Sequence, residues 1–269
     1  MSGRSNTDGG GTEIPEAESG VTRIPSWVLN LISAGVAIAL WFVIGALGIR
    51  GIPSPFEVLQ AGINAAQKGL LWTDMLASFR RVTLGLILGV LVAIPTAFIM
   101  GWYRVARAIV EPWIQFLRTV PPIALIPLVI VLFGIGETPK VMIIFFAAFM
   151  TSVISIYQGV VDTDRTLINA ARVLGATDRQ VFLKVVVPAA MPFVFVGVRI
   201  ALAASWGTLI ASELVAAQEG LGYRMQIAGI YFDLPTIYFN ILVIGLIGYA
   251  MDRLLQASEG RLIGWQERK

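Results

Sequence analysis

Between Arg81 and Arg104, and again between Lys140 and Asp162, the chain runs without a single Asp, Glu, Lys or Arg. Each run is about 20 residues long, and a helix of that length, rising about 1.5 Å per residue, crosses a hydrocarbon core of about 30 Å. Composition agrees: 57% of the residues are hydrophobic and 14% are charged, whereas a globular domain carries about 25% charged residues. The fold class expected is all-α and integral to a membrane, because backbone in lipid must satisfy its own hydrogen bonds and a helix does so within one segment. The chain has no Cys and no His, which excludes thiol nucleophiles, disulfides, Cys/His metal sites, catalytic triads and histidine proton relays. The net charge is +3, but the basic residues are scattered through short loops rather than gathered on one face, so nucleic acid is not the expected partner.

About six spans follow. Residues 1–22, rich in Gly, Ser, Thr and Glu, read as a disordered tail, and 23–269 as the membrane domain. The apolar run 27–47 is the first span, longer than the apolar core of a signal peptide. The two charge-free runs are the second and fourth. Between them, 108–133 holds Arg118, Pro112, Pro121, Pro122 and Pro127 in largely apolar sequence, which predicts one broken span. Residues 189–212, interrupted by Arg199, and 234–251 are the fifth and sixth. Six spans put both termini on one side. About twelve Lys and Arg fall on that side and about six on the other, Arg80 and Arg81 being counted among the six, so the positive-inside rule places both termini in the cytoplasm. The outer stretch 48–78 then carries Phe56, Leu59 and Ile63 at helical spacing after Pro53 and Pro55, a helix lying along the outer surface.

The inner loop, 158–188, carries the most information. Asp162-Thr163-Asp164 supplies caps, and Leu167, Ala170, Ala171 and Leu174 recur at i, i+3, i+4 and i+7 before Gly175. Thr177 and Gln180 have capping-box spacing and start a second helix, expected to stop before Pro188 and Pro192. The first helix is too short to be stable alone, since isolated helices below about 12 to 15 residues are marginal. Its small residues Ala170, Ala171, Gly175 and Ala176 allow two partners: the groove of another protein, or the chain's own spans.

Asn169-Ala170-Ala171-Arg172-Val173-Leu174-Gly175, followed after nine residues by Val185-Val186-Val187-Pro188, resembles the loop signature of membrane subunits of bacterial ATP-binding-cassette importers. Asn169 stands where the family pattern has Glu. Leu117-Arg118-Thr119-Val120-Pro121-Pro122-Ile123-Ala124, Leu132-Phe133-Gly134-Ile135-Gly136-Glu137, Gly197-Val198-Arg199 and the stretch from Trp206 to Glu213-Leu214 are similar to permeases of the nitrate, sulfonate, taurine and bicarbonate group. The resemblance implies a type I importer permease fold in a bacterial inner membrane. It also implies a second copy of the chain, two ATPase subunits that bind ATP and Mg, and an external solute-binding protein. Leu167, Asn169, Ala170, Ala171, Arg172, Leu174, Gly175 and Ala176 would form the helix that couples to the ATPase. No Gly-x-x-x-x-Gly-Lys-Ser/Thr cradle occurs in the chain, so ATP hydrolysis falls to a separate chain, and no cofactor is expected in this one.

Within the membrane, Pro121 and Pro122 free backbone groups that must be satisfied by protein or a water-filled cavity, making Arg118 to Ile123 either a pathway wall or a plain kink. Arg118 and Arg199 lie about 15 Å deep at about 1.5 Å per residue; each is an anion station, an ion pair or a helix-end cap. Glu213 is expected as a gate or ion-pair residue, with Ser205 and Trp206 lining the same helix. Gly85 and Gly89, a small-xxx-small pair, serve intrachain packing or a dimer seam. The competing functions are a stand-alone channel or secondary transporter, which calls for intramembrane acidic or histidine relays that the expected spans lack, and a membrane enzyme, which lacks paired carboxylates.

Overall fold

The computed structural model of the chain describes residues 25–49 and 51–262. The tail 1–22 and the basic residues Arg4, Arg23, Arg50, Arg268 and Lys269 lie outside the described residues. All regular elements among the described residues are helical, and the chain divides after residue 49 into two compact units.

The first unit contains α1 (Ser26–Ala46), which starts after Pro25 and carries no charged side chain along its 21 residues. It is long and apolar enough to cross a membrane.

The second unit opens with α2 (Pro55–Gln67). Ser54 and Glu57 close a capping box around its first turn, and Pro55 supplies the fixed φ that suits a first helical position. Phe56, Leu59 and Ile63 lie on its exposed side, while Gly62 meets the Phe239 ring. α3 (Leu70–Trp102) is 33 residues long. It starts well before the charge-free run, so Arg80 and Arg81 sit inside a helix and not in an outer loop; burial of Arg81 is made possible by the ion pairs described below.

α3 packs along α6 (Glu137–Val161) at glycines that admit no side chain. A Cβ on Gly89 would lie 2.7 Å from the Ala148 Cβ, and one on Gly85 would run into Ile144. Gly101 meets Val160 in the same way, so contacts advance together along both helices, which therefore run parallel. The small-xxx-small pair thus serves packing within the chain. Parallel neighbours require the chain to return between them. It does so through α4 (Arg104–Leu117), a 3-10 turn (Pro122–Leu125) and α5 (Ile126–Phe133), a pair bent by 89° at the prolines.

After α6 comes α7 (Arg165–Val173), then α8 (Asp178–Val181), whose first turn is closed by the Thr177–Gln180 capping box. The second helix does not stop before Pro188. It continues through a π-turn (Phe182–Val186) into α9 (Val187–Ala216), with Val187 N–H donating to Phe182 O. The wider turn delivers Pro188 to the first turn of α9, where its missing N–H costs little. The expected hairpin is therefore one short helix and the inner extension of a span. α9 runs antiparallel to α6, with Gly159 against Phe193 and Gly197 against Ile156. α10 (Leu221–Ile230) and α11 (Leu234–Leu262) complete the unit. Among the described residues, five single helices and the bent pair are long and apolar enough to span.

Two buried clusters lie along α3, α6 and α9. One, around Phe98, Met100, Ile156 and Val186, sits at the end where α7 lies; the other, around Val82, Ile144, Leu202 and Leu209, sits toward the opposite end.

Candidate functional site

Three places concentrate polar chemistry. The first is α7. Asp164 caps it, accepting the Thr166 N–H at 2.7 Å, and this bond holds the exposed carboxyl below the usual range. The helix ends in a Schellman turn: Ala176 N–H donates to Ala171 O and Gly175 N–H to Arg172 O. Gly175 has φ +82°, a conformation strained for any side chain. Ile168 turns inward onto the buried cluster around Val186. Leu167, Ala170, Val173 and Leu174 face outward, Leu174 with 87% of its surface exposed. Ala171 and Ala176 are half-buried, whereas Asn169 and Arg172 are exposed. The apolar stripe read from periodicity is thus divided: a single isoleucine anchors α7, and two leucines remain without a partner among the described residues.

The second place is the break after α4. Arg118 caps α4 through its own N–H to Ile114 O, and Thr119 closes the turn onto Phe116 O. Pro121 and Pro122 turn the chain sharply, and a cavity of about 450 Å³ opens beside them, lined by Arg118, Pro122, Met150, Thr151, Gly207 and Thr208 among others. Arg118 has no carboxylate partner among the described residues, unlike Arg81, Arg199 and Arg224. Arg118 is exposed, and the cavity gives water or an anion access to it.

The third place lies at the opposite end. Arg81, 1% exposed, makes a bidentate pair with Glu137 at 2.6 and 2.7 Å and reaches Glu213 at 2.7 Å and the Glu219 carbonyl at 2.8 Å. Glu213, fully buried, also accepts from the Ser78 hydroxyl and the Gly222 N–H, both at 2.8 Å. Asp74 accepts from Gly220 N–H and from Arg224, and Lys140 joins Glu137. Arg81, Lys140 and Arg224 thus face Asp74, Glu137 and Glu213, with the Glu219 carboxylate a further 3.7 Å from Arg81, and the loop between α9 and α10 is stitched onto α3. A network in which carboxylates outnumber cations fixes helices; it offers no surplus positive charge to an anion. Glu213 is therefore an ion-pair residue. Asp74, Ser78, Arg81 and Arg224 were not singled out from sequence, although Asp74, Ser78 and Arg81 at i, i+4 and i+7 mark one polar face at the start of an apolar helix.

The other expected pathway residues lie elsewhere. Arg199 is held by Asp252 of α11 at 2.7 Å, so its charge is already matched. Ser205 is buried and donates to Ala201 O, and Trp206 packs in the cluster with Leu202 and Leu209. Trp206 also lies against Gly248 of α11, and neither residue lines the cavity beside Arg118. Asp252 and Glu213 also place carboxylates within spanning helices, where none was expected from sequence, but both are paired with arginine rather than arranged as a relay.

The parallel-then-antiparallel spans, the broken helix and the short exposed helix α7 define a multi-pass helical membrane protein. Comparison makes this specific. Residues 85–264 match the family described as the binding-protein-dependent transport system inner membrane component, and the chain belongs to that family. A probable ABC transporter permease protein of Brucella abortus is 53% identical over 91% of this chain and 98% of its own length. The taurine transport system permease protein of Escherichia coli is 35% identical over 88% of this chain and 89% of its own. The nitrate import permease protein of Synechococcus elongatus is 29% identical over 90% and 94%. Among solved structures, an inward-facing methionine ABC transporter shares the fold with a TM-score of 0.62 at 19% identity, covering 74% of this chain and 97% of that one.

Proposed function

We propose that this chain is the translocating subunit of an importer for a small oxyanion of the sulfonate, taurine or nitrate kind, working as a pair with two ATPase subunits that bind ATP and Mg. An external binding protein delivers the substrate, and this chain performs no catalysis of its own. The observation that carries the reading is α7: a capped, Schellman-terminated helix that exposes Leu167, Ala170 and Leu174 while Ile168 ties it to the spans. Such a helix fits a groove in a partner, and motion of that partner reaches the spans through the continuous α8–α9 segment. Coupling of this kind needs an element that both sites bias. Arg104, Arg107, Arg165, Arg172, Arg179 and Lys184 gather at this end, which supports a cytoplasmic location for α7 and for both termini.

In the pathway, Arg118 offers one unmatched positive charge beside an apolar wall, enough to make a passing anion pause without trapping it. The test is copurification and uptake together. Gly175→Val strains the αL turn and Ala170→Arg blocks the exposed face, so both are expected to lose the ATPase subunits and uptake while the chain still inserts. Arg118→Gln is expected to keep the ATPase bound and lose most anion uptake. Retained ATPase and uptake in all three variants would overturn the proposal.

A further inference from the structure

On the inner side of α7, facing the bundle, lies an open cleft of about 460 Å³ that the proposed transport role does not use. Arg107, Arg165 and Arg172 line it together with Asn169, Thr163 and Trp102, and no carboxylate is among its lining residues. Helix-end carbonyls would ordinarily oppose an anion here. Several are already taken: Arg107 donates to the Met100 and Gly101 carbonyls, and Thr163 to that of Gly159. Arg107 keeps an uncommitted Nη1 and lies over the Tyr157 ring, 5.4 Å from its centroid. Arg165 makes no hydrogen bond to any described residue, and Arg172 has one contact, a 3.2 Å pair with the exposed Asp178. Three guanidiniums thus converge on a space that no acidic side chain fills.

We propose that this cleft binds a phosphate-type oxyanion, held by Arg107, Arg165 and Arg172 with Asn169 as a neutral donor, and that its occupancy braces α7 against the bend between α3 and α4. Planar guanidinium forks suit such a group by paired, charge-assisted hydrogen bonds. Trp102, of a residue type favoured at a membrane boundary, is among the lining residues, and the group can arrive either as the headgroup of an anionic lipid or as a free ion. The binding site stands on the arginines alone; the bracing of a coupling element rests on the proposed docking role of α7.

The experiment uses the full chain, purified with its ATPase subunits and freed of lipid. Thermal stability is followed against sodium phosphate, with sodium chloride at equal ionic strength as reference, and in nanodiscs of phosphatidylglycerol against phosphatidylcholine. Arg165→Gln removes a charge with no hydrogen bond or ion pair to the described residues, and Asn169→Asp places a carboxylate in the cleft. A saturable rise with phosphate identifies a free oxyanion, and a rise confined to phosphatidylglycerol identifies a headgroup. In either case half-saturation is expected to weaken about tenfold or more in Arg165→Gln, the loss of one charge-assisted contact, and further in Asn169→Asp. No response beyond chloride and phosphatidylcholine, or a response unchanged in both variants, would overturn the site. No anion response from the natural chain with its ATPase bound fails this inference alone; an anion response from a natural chain that binds no ATPase fails the docking role alone.

Discussion

Removing the Arg81 guanidinium would leave Glu213, with no exposed surface, as a buried charge without a cation. Breaking one side of such a pair costs about 3–5 kcal/mol, so Arg81→Met is expected to lower the melting temperature of the purified chain sharply. The double variant with Glu213→Gln should recover part of the loss, because no buried carboxylate is then left without a cation. An unchanged melt in the single variant would show that the network contributes little. Arg199 and Asp252 present a contrast: their side chains are 36% and 30% exposed, and a pair screened to that degree contributes about 1 kcal/mol or less. Arg118 differs from both in having no carboxylate partner among the described residues, which is why the proposed pathway role falls to it and not to Arg199. From sequence, Arg118 and Arg199 were indistinguishable, each a lone arginine in an apolar run. Their difference is set by Asp252, 53 residues from Arg199.

At the scale of elements, α7 depends on its caps because its nine residues are too few to hold a helix by propensity alone. The Asp164 carboxyl is held below its ordinary range by the Thr166 N–H. A lowered folded value means that the cap stabilises α7 above the usual carboxylate range and that this support fades as pH falls through it. Hydrogen exchange of the 165–173 amides should therefore be slower in the natural chain than in Asp164→Ala at neutral pH, with the two converging in acid, while Asp164→Asn keeps its protection throughout. A difference that persists in acid would remove the carboxylate from the account. Both caps of α7 and the Thr177–Gln180 box were legible in the sequence, since a cap is a contact between residues two to six apart. The π-turn was not legible: Pro188 reads locally as a stop, and only the packing of Phe182 against Phe98 and Trp102, with Val186 in the buried cluster, carries the helix past it.

For the whole molecule, the sidedness of the spans is testable because the chain contains no natural cysteine. In intact cells, Lys68→Cys at the exposed turn before α3 should react with an impermeant thiol reagent, and Arg179→Cys at the start of α8 should react only after permeabilisation. The reverse pattern would invert the orientation. Parallel α3 and α6 also explain why 104–133 is broken. A chain that must return between parallel neighbours needs a connection across the membrane, and the prolines place the bend where the cavity beside Arg118 opens.

The sequence by itself determined that the chain is a helical membrane protein, which apolar runs form its spans, that the chain bends at Pro121 and Pro122, and how its short loop helix begins and ends. These follow from hydrophobic length and from hydrogen bonds between near neighbours. Only the tertiary structure decided which charges are matched and which remain open, which face of α9 is core, and that three arginines from α4 and α7 share one cleft. Arg81 and Glu213 stand 132 residues apart, and the electrostatics of a buried group are set by whatever folding brings within a few ångströms, a distance that no local pattern encodes.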